Sequence, residues 1–142
     1  MGYRSQVGFC IEFTKDPEEF IALMRVDGQD VFKDFMRFMY VQNYDAKTED
    51  DAVGAVHFYH DHWKWYDDSQ NGFTDLINMA EDFDEDFKAK FVRIGEESDD
   101  NEEEWFNDDH YELEYPYMVR NVESGFKLDQ LKRVEEEHAT TE

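Results

Sequence analysis

The chain has 142 residues, of which 37 are Asp or Glu and 14 are Lys or Arg, giving a formal net charge of −23. A charge of that size excludes attraction to nucleic acid and to anionic membranes, because both are negative, and it favours basic protein surfaces. An aromatic content of 17 % excludes a disordered acidic chain and predicts one domain with a substantial core.

The first elements are a strand and two helical runs. Residues 3–13 alternate between two faces, which predicts a strand half-buried against the core. Asp16-Pro17 predicts a helix start, because Asp can cap the first turn and Pro fits inside it. A second helical run follows Gly28, with apolar residues at Val31, Phe32, Phe35, Met36 and Met39.

The most unusual stretch is AVHFYHDHWKWYDD, residues 55–68, in which His57, His60 and His62 stand among aromatic side chains. We predict two strands, 55–59 and 63–66, joined by a turn at His60-Asp61-His62. A metal centre needs three or four converging ligands, and alternation along a strand points His57 away from position 60. We therefore interpret these residues as ordinary hairpin histidines and predict no metal and no other cofactor. The alternative is a metal-dependent enzyme that uses them.

The second half of the chain contains a helix, two strands and a tail. Asn71-Gly72 leads into a helix with an apolar stripe, and residues 88–95 form the next strand. An acidic loop, EESDDNEEE, then precedes a predicted strand at 110–119, which Pro116 interrupts. Residues 123–142 form a charged C-terminal tail, in which a short helix would use Leu128, Leu131 and Val134.

The predicted order, β-α(α)-β-β-α-β-β, belongs to the α+β class. Its first six elements match the ferredoxin-like βαββαβ arrangement, an antiparallel sheet with two helices on one face, and an extra C-terminal strand follows. We predict a single domain over residues 1–122.

Catalytic signatures are missing from the sequence. It contains no G-x-S-x-G elbow, phosphate loop or dinucleotide fingerprint. Cys10 stands mid-strand, where a small buried side chain is the usual role. A calcium loop at 82–93 is rejected because Phe87 replaces the required Gly and Arg93 replaces the bidentate Glu. We predict no catalytic residues and no enzyme.

The candidate partner-binding site is the acidic segment between Arg93 and Arg120, where no Lys or Arg occurs. Acids two apart on a strand stand about 6.6 Å apart, which resembles the spacing of phosphates along a nucleic-acid strand. Trp105 and Phe106 would add apolar anchors. The alternative is a solvated loop without a partner, and the sequence leaves both interpretations open. The predicted site consists of Glu96, Glu97, Asp99, Asp100, Glu102, Glu103, Glu104, Trp105, Phe106, Asp108, Asp109, Glu112 and Glu114.

Three motifs resemble those of a known group of proteins. The MGYRS opening, the AVHFY…WKWYD stretch and FVRIGE with its acidic loop resemble a family of small acidic phage-encoded proteins of uncharacterised function. The resemblance covers most of residues 1–120. It implies a phage protein that acts in the cytoplasm of the infected bacterial host, and it transfers no catalytic residue.

The function predicted from charge and resemblance is inhibition of a host protein. We expect a non-enzymatic phage protein that binds a host nucleic-acid-binding or defence protein through an acidic surface mimicking nucleic acid. Its partner would be a basic surface of that protein, with no direct contact to nucleic acid or membrane. The alternative is a small accessory or assembly protein that forms a homodimer through the hairpin aromatics.

Overall fold

The fold is known from a computed structural model that describes residues 5–45, 51–97, 100–118, 122–123 and 131–135. Three helices and eight strands lie in these ranges. In chain order they are β1 (Ser5–Phe13), α1 (Pro17–Asp27), α2 (Asp30–Met36), β2 (Met39–Asn43), β3 (Gly54–Trp63), α3 (Asp67–Phe83), β4 (Lys88–Ile94), β5 (Asn101–Phe106), β6 (Tyr117–Met118), β7 (Val122–Glu123) and β8 (Lys132–Arg133).

Six strands form one sheet in the order β5-β4-β1-β3-β2-β8, and every neighbouring pair is antiparallel. The short strands β6 and β7 pair with each other outside that sheet. The predicted α+β class with an antiparallel sheet is confirmed. The sheet has more strands than predicted, and the described residues contain three helices where the ferredoxin-like arrangement has two.

The helices pack on one face of the sheet through phenylalanine rings. The ring of Phe9 in β1 lies 5.6 Å from that of Phe35 in α2 and 5.0 Å from that of Phe73 in α3. Phe13, the last residue of β1, lies 4.7 Å from Phe20 of α1. Aromatic pairs at these distances stabilise the core beyond the effect of buried area. This core offsets the charge repulsion that opposes folding.

Helix α1 begins and ends where the sequence predicts. The Asp16 carboxylate accepts a hydrogen bond from the backbone N–H of Glu18 at 3.0 Å, and Pro17 occupies the first turn. Gly28 ends the helix in a left-handed conformation with φ of 73°. Its N–H donates to the Met24 carbonyl at 3.1 Å.

The second helical run is shorter than predicted. Helix α2 ends at Met36, and residues 39–43 form β2. Met39 and Val41 are buried while Tyr40 and Gln42 are half-buried, which is the alternation of a strand. The prediction failed because Met39 also fits a helical repeat with the preceding residues, and periodicity does not separate short apolar runs.

The hairpin predicted within residues 55–66 is also wrong. Residues 54–63 form the single strand β3, whose hairpin partner is β2. Pairing with β1 extends to Ser5 opposite Trp63, past a bulge between Ser5 and Val7. Because a neighbouring strand supports this stretch to its end, His60-Asp61-His62 stays extended and does not form a turn.

Helix α3 starts at Asp67, earlier than predicted, so that Asn71 and Gly72 lie inside it. A Cβ at Gly72 would lie 2.5 Å from Cγ1 of Val31. The glycine therefore permits a close approach of α2 to α3. Asn-Gly ordinarily indicates a turn, which is why the sequence misplaced the start of the helix.

The strand that follows β4 is not formed by residues 110–119, as predicted, but by earlier residues. Asn101–Phe106, which begins inside the predicted acidic loop, forms β5 at the sheet edge and pairs with β4. Of the predicted strand, only Tyr117–Met118 is extended among the described residues. Consecutive acids favour a loop in isolation, but Arg93 and Lys90 of β4 form ion pairs with Glu102 and Glu103.

The C-terminal tail contributes a strand to the sheet. Lys132–Arg133 forms β8 and pairs with β2, so the short helix predicted here is absent from residues 131–135. The backbone N–H of Val134 donates to the Met39 carbonyl at 2.9 Å. Leu128 lies outside the described residues.

Candidate partner-binding surface

His57 is a buried residue of the sheet. Its side chain is 4 % exposed, and its Nε2 lies 2.9 Å from Oε1 of Gln42. Burial disfavours the imidazolium and lowers the pKa of His57 to about 4. At neutral pH, His57 is therefore an uncharged hydrogen-bonding group inside the sheet.

The other two histidines of the stretch are engaged locally. Nδ1 of His60 accepts a hydrogen bond from the backbone N–H of His62 at 3.0 Å. The His60 ring packs edge-to-face on Phe38 at 4.5 Å. Within the described part of the chain, no group of three or more His, Cys, Asp or Glu side chains is arranged to hold a metal ion.

Cys10 is buried, and alternation along β1 places it on the sheet face opposite Phe9 and Ile11, which belong to the core. Burial raises the pKa of its thiol, and the nearby Glu12 carboxylate raises it further. The thiol therefore stays protonated, which makes it a poor nucleophile. Burial also raises the pKa of Glu12, whose Oε2 accepts a hydrogen bond from the Tyr44 hydroxyl at 3.2 Å.

Arg93 of β4 binds two acids of the predicted site. Its Nη2 lies 2.6 Å from Oδ1 of Asp100 and 2.7 Å from Oε1 of Glu102. Its Nη1 donates to Oδ2 of Asp100 at 3.2 Å and to Oγ of Ser5 at 3.1 Å. Burial favours the neutral guanidine, but the carboxylates outweigh burial and raise the pKa of Arg93. These two acids thus neutralise a cation that is 7 % exposed.

Lys90 of β4 is enclosed in a similar way. Its Nζ lies 3.4 Å from Oε2 of Glu103 and donates to the backbone carbonyl of Glu114 at 3.1 Å. The same Nζ lies 4.8 Å from the centre of the Trp105 ring. Trp105 is half-buried, and its Nε1 donates to the Leu113 carbonyl at 3.0 Å. Trp105 therefore covers Lys90 within the chain.

Asp108 and Glu112 fold the segment after β5 back over β4. Asp108 is buried, and its carboxylate accepts hydrogen bonds from the backbone N–H groups of Glu112 at 2.9 Å and Leu113 at 2.8 Å. The Glu112 carboxylate accepts a hydrogen bond from Nζ of Lys88 at 2.7 Å. That hydrogen bond raises the pKa of Lys88. Both acids have structural roles.

Some acids of the predicted site remain exposed to a partner without holding a described cation. They lie on β5 and in the segment that follows it: Glu104, Asp109 and Glu114. Glu96 and Glu97, after β4, are also exposed, and Asp99 lies outside the described residues. The site available to a partner is therefore smaller than the acidic sequence suggests.

A pocket of about 270 Å³ lies between α3 and β5. Phe73, Phe91 and Phe106 line it together with the acids Glu102 and Glu104. Phe106 is half-buried, with its ring 5.7 Å from that of Phe73. Apolar walls next to carboxylates suit a Lys or Arg side chain, which has an apolar stem and a charged head.

Helix α3 adds a second acidic element. No Lys or Arg occurs between Lys64 and Lys88, and the last turn of the helix contains no basic residue. Glu81 and Asp82 stand in that turn, where the helix dipole disfavours negative charge. Asp84, just beyond the helix, differs: it is buried and accepts hydrogen bonds from the N–H and hydroxyl of Thr14 at 2.6 Å and 2.8 Å.

Comparison of the chain with known protein families, curated proteins and solved structures gave no match. The resemblance to phage proteins therefore stays a prediction. No helix in the described ranges is both long enough and apolar enough to cross a bilayer.

Proposed function

We propose that this chain is a non-enzymatic phage protein that binds a basic surface of a host nucleic-acid-binding or defence protein and inhibits it. The observation that carries the proposal is the acidic edge strand β5, with the pocket beside it. Side chains two apart on a strand are about 6.6 Å apart, so an acidic strand approximates the spacing of successive phosphates, and Glu104 is the exposed acid of β5 that holds no described cation. A basic groove that binds these acids would release counterions, as it does with nucleic acid.

The internal ion pairs favour this proposal because they fix the geometry of the acidic edge. Arg93 holds Glu102, and Lys90 holds Glu103, so β5 is ordered before any partner arrives. Preorganised groups lose less conformational entropy on binding. Glu104, Asp109 and Glu114 would then be the acids that meet the partner.

A binding role also agrees with the state of Cys10 and His57, a thiol and an imidazole on neighbouring strands of the sheet. Cys10 and His57 are both buried and uncharged at neutral pH. Groups poised for proton transfer need access to substrate and a pKa near the working pH. Neither condition is met by this pair.

The bacterial cytoplasm is the proposed place of action, and an extended ferredoxin-like arrangement is the proposed fold. Support for the fold comes from the four central strands, which run in the order β4-β1-β3-β2. Strands β5 and β8 would be additions at the two edges of that sheet.

Self-association through the aromatics of residues 55–68 is the alternative function, and it has less support. Phe58 and Trp65 are buried in the core, whereas Tyr66 is 49 % exposed. Two copies that each carry a charge of −23 also repel each other. Sedimentation of the purified chain tests this alternative, because a stable dimer that survives dilution would favour it.

The experiment for the main proposal is capture from bacterial lysate. The full chain is immobilised and exposed to nuclease-treated lysate at about 0.05 M and about 0.5 M salt. We expect a retained protein that is released at high salt and displaced by added duplex DNA or RNA. If no retained protein is sensitive to both salt and nucleic acid, the proposal is wrong.

A further inference from the structure

A second open surface lies on the other flank of α3, between this helix and α1. It is a groove of about 660 Å³. Its lining combines apolar side chains with carboxylates, among them Leu23, Val26, Met79, Asp27, Asp75 and Asp82.

The apolar part of the groove is unusually exposed. Val26 is 85 % exposed and Leu23 is 42 % exposed. They stand three residues apart on α1, a spacing that places both side chains on the same face of the helix. Single exposed apolar residues are ordinary, but neighbouring ones that line one groove form a patch that a partner would cover.

The acids of the groove have no evident role within the fold. Asp27 ends α1 and Asp82 lies in the last turn of α3, so both stand where the helix dipole disfavours negative charge. Asp75 and Asp82 are seven residues apart, which brings them to one side of α3. Among the described residues, none of these three carboxylates forms an ion pair, unlike the acids that hold Arg93.

We propose that this groove binds an amphipathic, cationic helix of a partner protein. Its apolar stripe would cover Leu23, Val26 and Met79, and its Lys or Arg side chains would lie beside the three aspartates. A helix suits a groove between two helices, because helix-in-groove recognition uses apolar anchors at helical spacing. The inference goes beyond the proposed function, since it concerns another surface and would hold if β5 bound nothing.

Charge argues against two alternative occupants of the groove, a second copy of the chain and the chain's own last residues. A second copy of the chain carries the same net charge of −23 as the first. The chain's own last residues include Glu136, Glu137 and Glu142, which have the same sign as the groove. Like charges brought together in this way are unfavourable, whereas Lys and Arg complement the three aspartates.

A peptide titration tests the inference without a host protein. The probe is a helix of Leu and Lys, about 18 residues long so that it can fold alone, and the control is a scrambled peptide of the same composition. Both are added to the ¹⁵N-labelled full chain, and backbone amide shifts are followed. We expect saturable shifts at residues 23–27 and 75–83, with the scrambled peptide about tenfold weaker because it lacks an apolar stripe. Equal affinity of the two peptides, or shifts confined to β5, would overturn the inference.

Two variants of α1 separate groove contacts from net charge. Val26→Asp should weaken binding of the amphipathic peptide about tenfold, because it removes an apolar side chain that the bound peptide would cover. Ala22→Asp adds the same charge to an exposed position of α1 outside the groove and should change the affinity less than about twofold. Long-range charge alone would strengthen binding of the cationic peptide in both variants, because each adds a carboxylate. Equal affinities of the two variants would mean that Val26 does not contact the peptide and would overturn the inference. Both positions are exposed, and the amide spectrum of each variant checks its fold.

Two further outcomes are distinguishable. A dimer of the purified chain that Val26→Asp dissociates would assign the groove to a second copy and overturn the inference. Failure of the peptide titration alongside salt-sensitive lysate capture would overturn this inference and leave the proposed function standing. Saturable binding of the peptide without salt-sensitive capture from lysate would support the groove and contradict the function proposed for β5.

Discussion

The guanidinium of Arg93 lies 2.6 Å from the carboxylate of Asp100, across the turn that joins β4 to β5. The contact explains how a run of acids becomes an edge strand. Arg93 and Lys90 of β4 meet Glu102 and Glu103 of β5 as opposite charges, which stabilises the pairing of the two strands. Part of the acidic segment is therefore counter-charge for buried cations, and only the remainder is available to a partner.

Removing the cation should destabilise the chain measurably. Arg93→Gln leaves Asp100 and Glu102 close together without their counter-charge, and we expect the free energy of unfolding to fall by about 2–3 kcal/mol. The two acids are about one-third exposed, so water limits the loss. Urea denaturation at low salt measures it.

A matched arginine provides the control for that measurement. Arg25 pairs with Glu135 at 3.0 Å, but its side chain is 50 % exposed. Arg25→Gln should therefore cost less than about 1 kcal/mol. Similar losses for the two variants would mean that the β4–β5 ion pairs do not hold the acidic edge.

Gly72→Ala should lower stability although alanine is the better helix former. The new Cβ would lie 2.5 Å from Cγ1 of Val31, and such overpacking costs about 1–3 kcal/mol. Val31→Ala should relieve the clash, so the double variant should lose less than the sum of the single losses. Asn71→Ala, at the exposed neighbouring position, should not destabilise α3. Strict additivity of Gly72→Ala and Val31→Ala would contradict the packing explanation.

His57 should make the chain less stable in acid. Its pKa is about 4 in the folded chain and 6.5 ordinarily, so between these values the unfolded chain binds more protons. The contribution of the neutral imidazole to the free energy of unfolding is therefore fully present above about pH 7 and is lost as the pH falls towards 4. Over that window, wild type should lose up to about 3 kcal/mol more than His57→Gln. Parallel urea-derived stability curves for the two proteins would contradict this expectation.

Local signals in the sequence predicted the elements whose ends are set by neighbouring residues. Strand β1 follows from alternation, and α1 follows from the Asp16 cap and from Gly28. Strand β4 was also placed correctly, because residues 88–94 contain Phe91, Val92 and Ile94, aromatic and β-branched residues that favour strands. These features need no knowledge of the rest of the chain.

The misplaced elements depend on contacts between distant residues. Strand β5 exists because Arg93 stands opposite Glu102, and α3 tolerates Gly72 because Val31 lies against it. The extended His60-Asp61-His62 likewise depends on pairing with β1. Local propensity favours a loop or turn at each of these places, and tertiary contacts override it.

The sequence predicted the negative charge of the candidate site but not which of its acids are exposed. The sequence identifies the acids after β4, but it does not reveal that Asp100 and Glu112 are used internally, since their cations are on another strand. The groove beside α1 was missed altogether. A helical projection of α3 would have placed Asp75 and Asp82 on one side, but the exposure of Val26 depends on how the helices pack.

A comparison of two charge-matched triple variants tests the proposed acidic surface most directly. The first, Glu104→Gln with Asp109→Asn and Glu114→Gln, removes exposed carboxylates on β5 and after it, and the Glu114 carbonyl still binds Lys90. The control removes the same charge at exposed positions elsewhere and consists of Glu19→Gln, Asp34→Asn and Asp61→Asn.

Both variants and wild type are immobilised and exposed to nuclease-treated bacterial lysate at low salt, and mass spectrometry quantifies each retained protein. We expect the control variant to retain the salt-sensitive partner as wild type does, and the β5 variant to retain at least about tenfold less. Equal retention by the two triple variants would show that net charge alone attracts the partner, and it would contradict a binding site on β5.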